Sequence, residues 1–369
     1  MIDIGKIIKR SWHILWNYRV LWIFGFLLAI TGGGNGGGSS GSGYKFNGNT
    51  GYNGNNGTNP NFQPGPFLQA LTDWFNQNLK PLFMHPGQHV ATIVWISIAF
   101  LLFILIVGVI TSFIRYVSET AVIRMVDEYA LTGNKVGFKK GWSMGWNRRA
   151  FRIWVIDLVI SLPVILFMAL LIGLGVLVFF SVTNGASAVA VGGTIAAIGC
   201  AFLFIMAFAV LMVFIGLLRQ FFVRAAALEE TRIGDSFRRG WAMFKNNWKS
   251  AALMWLVMLG IGIGFGIVSL VLFFLLIPAY LVLVLPGAIV AAIPAAIALG
   301  ITSIFASGPV AWVVAGLVAI PFFFMVALAP LTLVSGLYLI FTTNVWTLTY
   351  REIKALEAVK PEEIPTETV

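Results

Sequence analysis

The sequence predicts an all-α, polytopic transmembrane bundle, and three observations carry that prediction. First, 59% of the 369 residues are hydrophobic and only 10% are charged, whereas a soluble domain carries roughly 25% charged residues. Second, the apolar residues come in uninterrupted runs: 90–110 is 21 residues long and 195–218 is 24, neither with a charge. About 20 apolar residues span the ~30 Å hydrocarbon core as a helix. Lipid offers the backbone no hydrogen-bond partners, which favours helices over open strands. Third, the 24 lysines and arginines are strongly segregated along the chain.

The runs give candidate spans at 14–31, 90–114, 150–182, 193–218, 251–277 and 309–345. A further apolar stretch, 279–308, is interrupted by Pro286-Gly287 and Pro294. Pro-Gly is a turn signal between two short apolar arms, which favours a stretch that dips into the membrane and returns; the alternative is a full crossing, which would put the C-terminus outside. The expected architecture is about six spans, arranged as three tandem helical hairpins with interfacial helices and one re-entrant segment. Its parts are an N-terminal interfacial helix with the first span (1–31), a Gly/Asn/Ser-rich outside loop (32–65) and an outer amphipathic helix (66–83). The second span with its cytoplasmic extension (84–137), a second hairpin (138–236), a third hairpin holding 279–308 (237–350) and a tail (351–369) follow.

Sidedness follows from the cations. The segments 1–19, 115–152, 219–249 and 351–369 together hold 22 lysines and arginines, against Lys45 and Lys80 between residues 32 and 89. Positive loops stay inside, so both termini are expected in the cytoplasm and the protein in the plasma membrane. The net charge of +10 is thereby an orientation signal that points to anionic lipid headgroups rather than to nucleic acid. The run 20–30 after a basic start fits a signal peptide. Its likeness to elements later in the chain argues instead that it is retained.

Those elements are a repeat. "FKKGWSMGWNRR" (138–149) returns as "FRRGWAMFKNNW" (237–248), with a weaker copy, "KRSWHILWNYR" (9–19). Aligned on Trp12, Trp142 and Trp241, each copy has an asparagine five residues later (Asn17, Asn147, Asn246) and runs into a span. Tryptophan settles at headgroup depth, while lysine and arginine bury their stems and reach for phosphates. The candidate headgroup contacts are Trp12, Arg19, Lys139, Lys140, Trp142, Arg148, Arg149, Arg238, Arg239, Trp241 and Lys245. Ile4, Ile8, Trp12, Leu15 and Trp16 form one face of an N-terminal amphipathic helix.

The stretches "VDEYALTGNKVGFKKGWSMGWNRRAFRIWVIDLVISLP", "ALEETRIGDSFRRGWAMFKNNW" and "NVWTLTYREI" resemble a broad group of uncharacterised prokaryotic polytopic proteins. They are also similar to the membrane domain associated with some glycerophosphoryl diester phosphodiesterases. The resemblance implies a membrane-embedded helical domain. In that comparison hydrolysis belongs to a separate soluble barrel, absent from this chain, so the resemblance carries no activity over.

Residues 31–66 are polar and of low complexity, the composition of a flexible linker. Gly36 to Gly41 matches G-x-G-x-x-G, but without the preceding strand and following helix that cradle a phosphate. Phe67, Leu68, Leu71, Trp74, Phe75, Leu79 and Leu82 recur at helical spacing, as an outer surface helix requires. The lone Cys200 forbids an intrachain disulfide. His85 and His89 are separated by Pro86-Gly87, which breaks the helix that metal-ligand spacing needs. No cofactor or metal is expected.

At membrane depth, Asp157 is the outstanding acid. It lies five residues past Arg152, about 7.5 Å along a helix, within reach of an arginine or of water. The last span carries Thr343, Asn344, Thr347 and Tyr350, polar groups that join helices or line a cavity opposite Asp157. "GIGIGFG" (260–266) offers two overlapping G-x-x-x-G matches, expected to pack closely within the bundle. No nucleophile–base set or phosphate loop stands in the chain. The expectation is therefore a non-enzymatic scaffold or accessory membrane component, partnered by lipid and by a second copy or another membrane protein. The alternative is a carrier for a small or lipid-like solute that uses Asp157 and the polar face of the last helix.

Overall fold

The computed structural model describes residues 2–32, 73, 90–183, 188–229, 231–305 and 309–359. The outside loop beyond Gly32, the expected helix at 66–83 apart from Asp73, the histidine pair and the tail from residue 360 lie outside the described residues. Regular structure among the described residues is entirely helical: α1 (Ile4–Asn17), α2 (Val20–Ile30), α3 (Val90–Thr132), α4 (Phe138–Gly145), α5 (Arg148–Thr183), α6 (Ala188–Leu228), α7 (Ile233–Asn246), α8 (Trp248–Leu275), α9 (Ile277–Phe305), α10 (Pro309–Ala327) and α11 (Ala329–Val359). Seven of these, α3, α5, α6 and α8 to α11, are long and apolar enough to cross a membrane. The α1–α2 pair, bent by 98°, adds an eighth pass if it counts as one. The all-α polytopic bundle expected from the hydropathy is what the chain forms.

The chain divides into two compact units. One comprises Met1–Ser39, Ser112–Leu272 and Thr332–Val369; the other comprises Ser40–Thr111 and Phe273–Leu331. In the first, the core gathers at the basic ends of the helices. It includes Ile7, Ile14, Leu15, Tyr18, Phe24, Ile123, Met125, Ile153, Phe221, Met254, Ile340, Trp346 and Tyr350. Mid-helix residues such as Leu166, Val210 and Leu270 are exposed, as lipid-facing side chains must be when hydrocarbon is the solvent. The second unit packs α9 against α10, with Val310, Val314 and Val318 meeting Ala99, Phe103, Ala298 and Phe322.

Proline position decides where the long apolar runs break. Helix boundaries fall just before Pro278, Pro309 and Pro330, each of which sits in the first turn of the next helix, where its missing N–H costs nothing. Pro163, Pro286, Pro294 and Pro321 lie inside continuous helices. The expected turn at Pro286-Gly287 does not form: Ile277–Phe305 is one helix of 29 residues. An interior proline removes a single backbone bond, whereas a hairpin at depth would strip several from a medium that cannot replace them. A Cβ on Gly287 would lie 3.3 Å from the Phe323 ring and carbonyl oxygen, a tight fit for any side chain. The expected single span 309–345 is two helices, divided at Leu328 before Pro330.

A close, two-sided backbone approach in the first unit joins α2 to α11. A Cβ on Gly25 would lie 2.6 Å from the Gly336 carbonyl oxygen, and one on Gly336 2.7 Å from the Gly25 carbonyl. The expected role of the 260–266 glycines is corrected here. A Cβ on Gly260, Gly264 or Gly266 meets nothing within 4 Å, and one on Gly262 meets only the Tyr338 hydroxyl, at 3.0 Å. The small residues that matter are those whose neighbours bring a second backbone to the same level, which a spacing rule cannot see.

Candidate functional site

Each repeat copy is a short amphipathic helix, a one- or two-residue break and a membrane helix: α1–α2, α4–α5 and α7–α8. The short helices do not stand alone. Helix α4 folds back along the end of α3, and Gly145 and Gly141 meet the Val117 carbonyl and the Met125 side chain. Gly240 of α7 likewise sits on the Phe221–Phe222 backbone of α6. Ser11, the residue aligned with Gly141 and Gly240, is fully buried. The residue before each aligned tryptophan is small because a helix passes over it.

The elbows are then tied by side chains. Tyr18, off-helix between α1 and α2, donates its hydroxyl to the Val136 carbonyl at 2.8 Å and accepts from Val136 N at 2.6 Å. Arg124 donates to the Met144 carbonyl at the end of α4, Arg149 to the Ala227 carbonyl in the last turn of α6 and Arg152 to the Thr231 carbonyl just beyond it. Cations at helix C-termini satisfy carbonyls that the helix leaves unpaired. Glu229, just past α6, accepts from Lys354 at 3.0 Å and the Tyr350 hydroxyl at 2.8 Å, and lies 3.3 Å from Arg239, which also reaches Glu357. Burial pushes the Glu229 carboxyl up, but these donors and cations outweigh it and hold it below the ordinary glutamate value.

The predicted headgroup contacts therefore fall into two sets. Lys140, Arg149 and Arg239 have protein partners: Glu128, the Ala227 carbonyl, and Glu229 with Glu357. Trp142 is half-buried against Phe24 and Phe138. Arg19, Lys139, Arg148, Arg238 and Lys245 are exposed, as are Trp12 at 55% and Trp241 at 47%. Trp16, expected on the apolar face of the N-terminal helix, is exposed as well, as are Trp146 and Trp248, which the sequence did not single out; the Lys249 ammonium lies 5.9 Å from the Trp248 ring.

A second constellation links α3, α5 and α6. Arg219, 2% exposed, donates from Nε and Nη2 to the two Asp157 oxygens at 2.5 and 2.7 Å. From Nη1 and Nη2 it donates to the two Glu119 oxygens at 3.1 and 3.2 Å. Arg115 stands 3.6 Å from Asp157 on the far side and over the Tyr116 ring. One guanidinium thus serves two carboxylates in near-bidentate fashion, the geometry its planar fork suits. Arg224, also buried, bonds the backbone carbonyl and side-chain oxygen of Gln220. Asp157 pairs with Arg219 and Arg115, not with the nearer-in-sequence Arg152. No motif or spacing in the sequence marks Arg219 and Glu119 as the partners of Asp157. The available signal was that Arg219 stands between "FIGLL" and "QFFV", a charge with apolar residues on both sides.

The last-helix polar residues form no bond with Asp157 among the described residues. Thr347 donates to the Thr343 carbonyl of its own helix, and Tyr350 is held by Glu229. Asn344 is fully buried with neither side-chain atom bonded. Residues 4–350 match a family of unknown function (DUF7544), and the chain belongs to that family. No curated protein and no solved structure matches it.

Proposed function

We propose that this member of the family is a non-enzymatic integral membrane protein, a scaffold or accessory component of the plasma membrane whose basic, tryptophan-bearing elbows engage anionic lipid on the cytoplasmic side. The observation that carries this reading is the distribution of exposed side chains on the elbows. Trp12, Trp16, Trp146, Trp241 and Trp248 are exposed beside Lys139, Arg148, Arg238 and Lys245, the pairing that membrane interfaces favour. Counting α1–α2 as one pass gives an even number of candidate crossings, eight, which supports a reading with both termini on the side marked by the basic segments. The carrier alternative draws less support, since Asp157 is engaged by two arginines.

The test is lipid selectivity. The full chain, purified in mild detergent and reconstituted with equimolar phosphatidylglycerol and phosphatidylcholine, is re-extracted and its retained lipid quantified. Enrichment of phosphatidylglycerol over the input ratio is expected. Retention at the input ratio refutes the reading.

A further inference from the structure

The repeat places two adjacent cations before each aligned tryptophan: Lys9-Arg10, Lys139-Lys140 and Arg238-Arg239. The structure uses the two positions differently, and in the same way in all three copies. The second cation always reaches back to the end of a long helix. Arg10 donates to the Ala130 carbonyl of α3 at 3.1 Å, Lys140 pairs with Glu128 of α3 at 3.3 Å, and Arg239 pairs with Glu229 after α6 at 3.3 Å. The first cation, in every copy, is exposed and makes no hydrogen bond or ion pair among the described residues.

Helical geometry explains the division. Residues two apart on a helix point about 200° from each other, whereas residues three apart lie about 60° apart on one face. When the second cation turns to the protein, the tryptophan two residues on turns away, and the first cation shares its face. Lys9 thus stands beside Trp12 and Arg238 beside Trp241, both indoles about half exposed. In the middle copy Trp142 is drawn onto Phe24, and the exposed indole is Trp146, one turn further along. The first copy has Trp16 at the equivalent place, 5.7 Å from Trp12.

We infer that Lys9, Lys139 and Arg238 each hold the headgroup phosphate of an anionic phospholipid, Lys9 and Arg238 beside an exposed indole on the same helix face, while Arg10, Lys140 and Arg239 fasten the same helices to the protein. The inference rests on the elbow reading above and narrows it to one register of the repeat. A phosphate at headgroup depth meets an unpaired cation there, and the indole supplies the apolar body and N–H that suit the same depth. The second cations, of which Arg10 and Lys140 are also exposed, each have a carboxylate or carbonyl of the protein as partner and so have less to offer a phosphate.

Two triple variants with the same loss of charge decide it: Lys9→Gln/Lys139→Gln/Arg238→Gln and Arg10→Gln/Lys140→Gln/Arg239→Gln. Both are reconstituted and re-extracted as above, and their thermal unfolding is followed in detergent. A surface cation near anionic lipid changes affinity by roughly fivefold. The first triple is therefore expected to lose most of the phosphatidylglycerol enrichment with an unchanged Tm. The second is expected to keep the enrichment and unfold earlier. Undiminished enrichment in the first triple, or equal loss in both, overturns the inference while leaving the elbow reading in place. Absence of enrichment in the wild type removes both. Should the second triple fail to accumulate, the single variants Arg10→Gln and Lys140→Gln take its place.

Discussion

Replacing Arg219 by methionine removes the one guanidinium shared by Asp157 and Glu119. The methionine fills much of the same volume, so the loss is chiefly electrostatic. Four donor–acceptor contacts of 2.5–3.2 Å disappear. Asp157 keeps Arg115 at 3.6 Å, but Glu119, about 8% exposed at its side chain, is left without a bonded cation. Breaking a buried pair by removing one partner costs about 3–5 kcal/mol, because the remaining charge stays desolvated. At roughly 2–4 °C per kcal/mol for a domain of this size, Tm should fall on the order of ten degrees. Thermal unfolding in detergent, followed by tryptophan fluorescence, reads this directly. The decisive arm is the double variant Arg219→Met/Glu119→Gln. Neutralising the stranded carboxylate should recover part of the loss, giving a coupling of about 1–3 kcal/mol between the two positions. An Arg219→Met protein within about 1 kcal/mol of wild type, or a double variant as damaged as the sum of its singles, would refute the argument that the pair is electrostatically coupled.

Three further outcomes follow from the packing. Gly145→Ala places a Cβ 2.2 Å from the Val117 carbonyl oxygen and should cost about 1–3 kcal/mol, whereas Gly264→Ala meets nothing within 4 Å and should leave Tm unchanged or slightly raised. On a Cys200→Ser background, Ile304→Cys at the end of α9 and Ser143→Cys in the second elbow should react with an impermeant maleimide from the same side of sealed vesicles. Labelling from opposite sides would restore the re-entrant reading of 279–308. Glu229 titrates below its unfolded value, so its stabilisation is fully present above about pH 4.3 and is lost as pH falls through the lower folded pKa. Glu229→Gln should therefore flatten the acid limb of a Tm–pH curve measured in detergent, and an unchanged limb would assign that limb to other groups.

Much of the site was legible in the sequence, though only by residue type. The repeat announced the elbows and their cations, because a basic, aromatic stretch that recurs before three of the spans has few uses other than at an interface. It did not say which cation of each pair turns inward. That depends on how each elbow folds back: Lys140 and Arg239 meet Glu128 and Glu229 of the segment just before them, whereas Arg10 meets the Ala130 carbonyl of a helix 120 residues away. Asp157 was visible as an acid at depth, but its partner Arg219 is 62 residues away in sequence, with no spacing rule to connect them. The glycine motif at 260–266 illustrates the same limit. G-x-x-x-G states that a close approach is permitted, and the structure places the approach at Gly25 and Gly336 instead.

The sequence by itself determined the solvent of this protein, its helical class and the rank of its elbows as repeated units. Those follow from composition and local order: long apolar runs have one stable form in hydrocarbon, and charges stay at its edges. Tertiary structure decided which prolines break helices and which are bridged, and which small residues let backbones meet. It also decided which charges are consumed inside the protein and which remain for lipid. Each of these is a question of what stands within a few ångströms of a side chain, and that distance is set by helices remote in sequence.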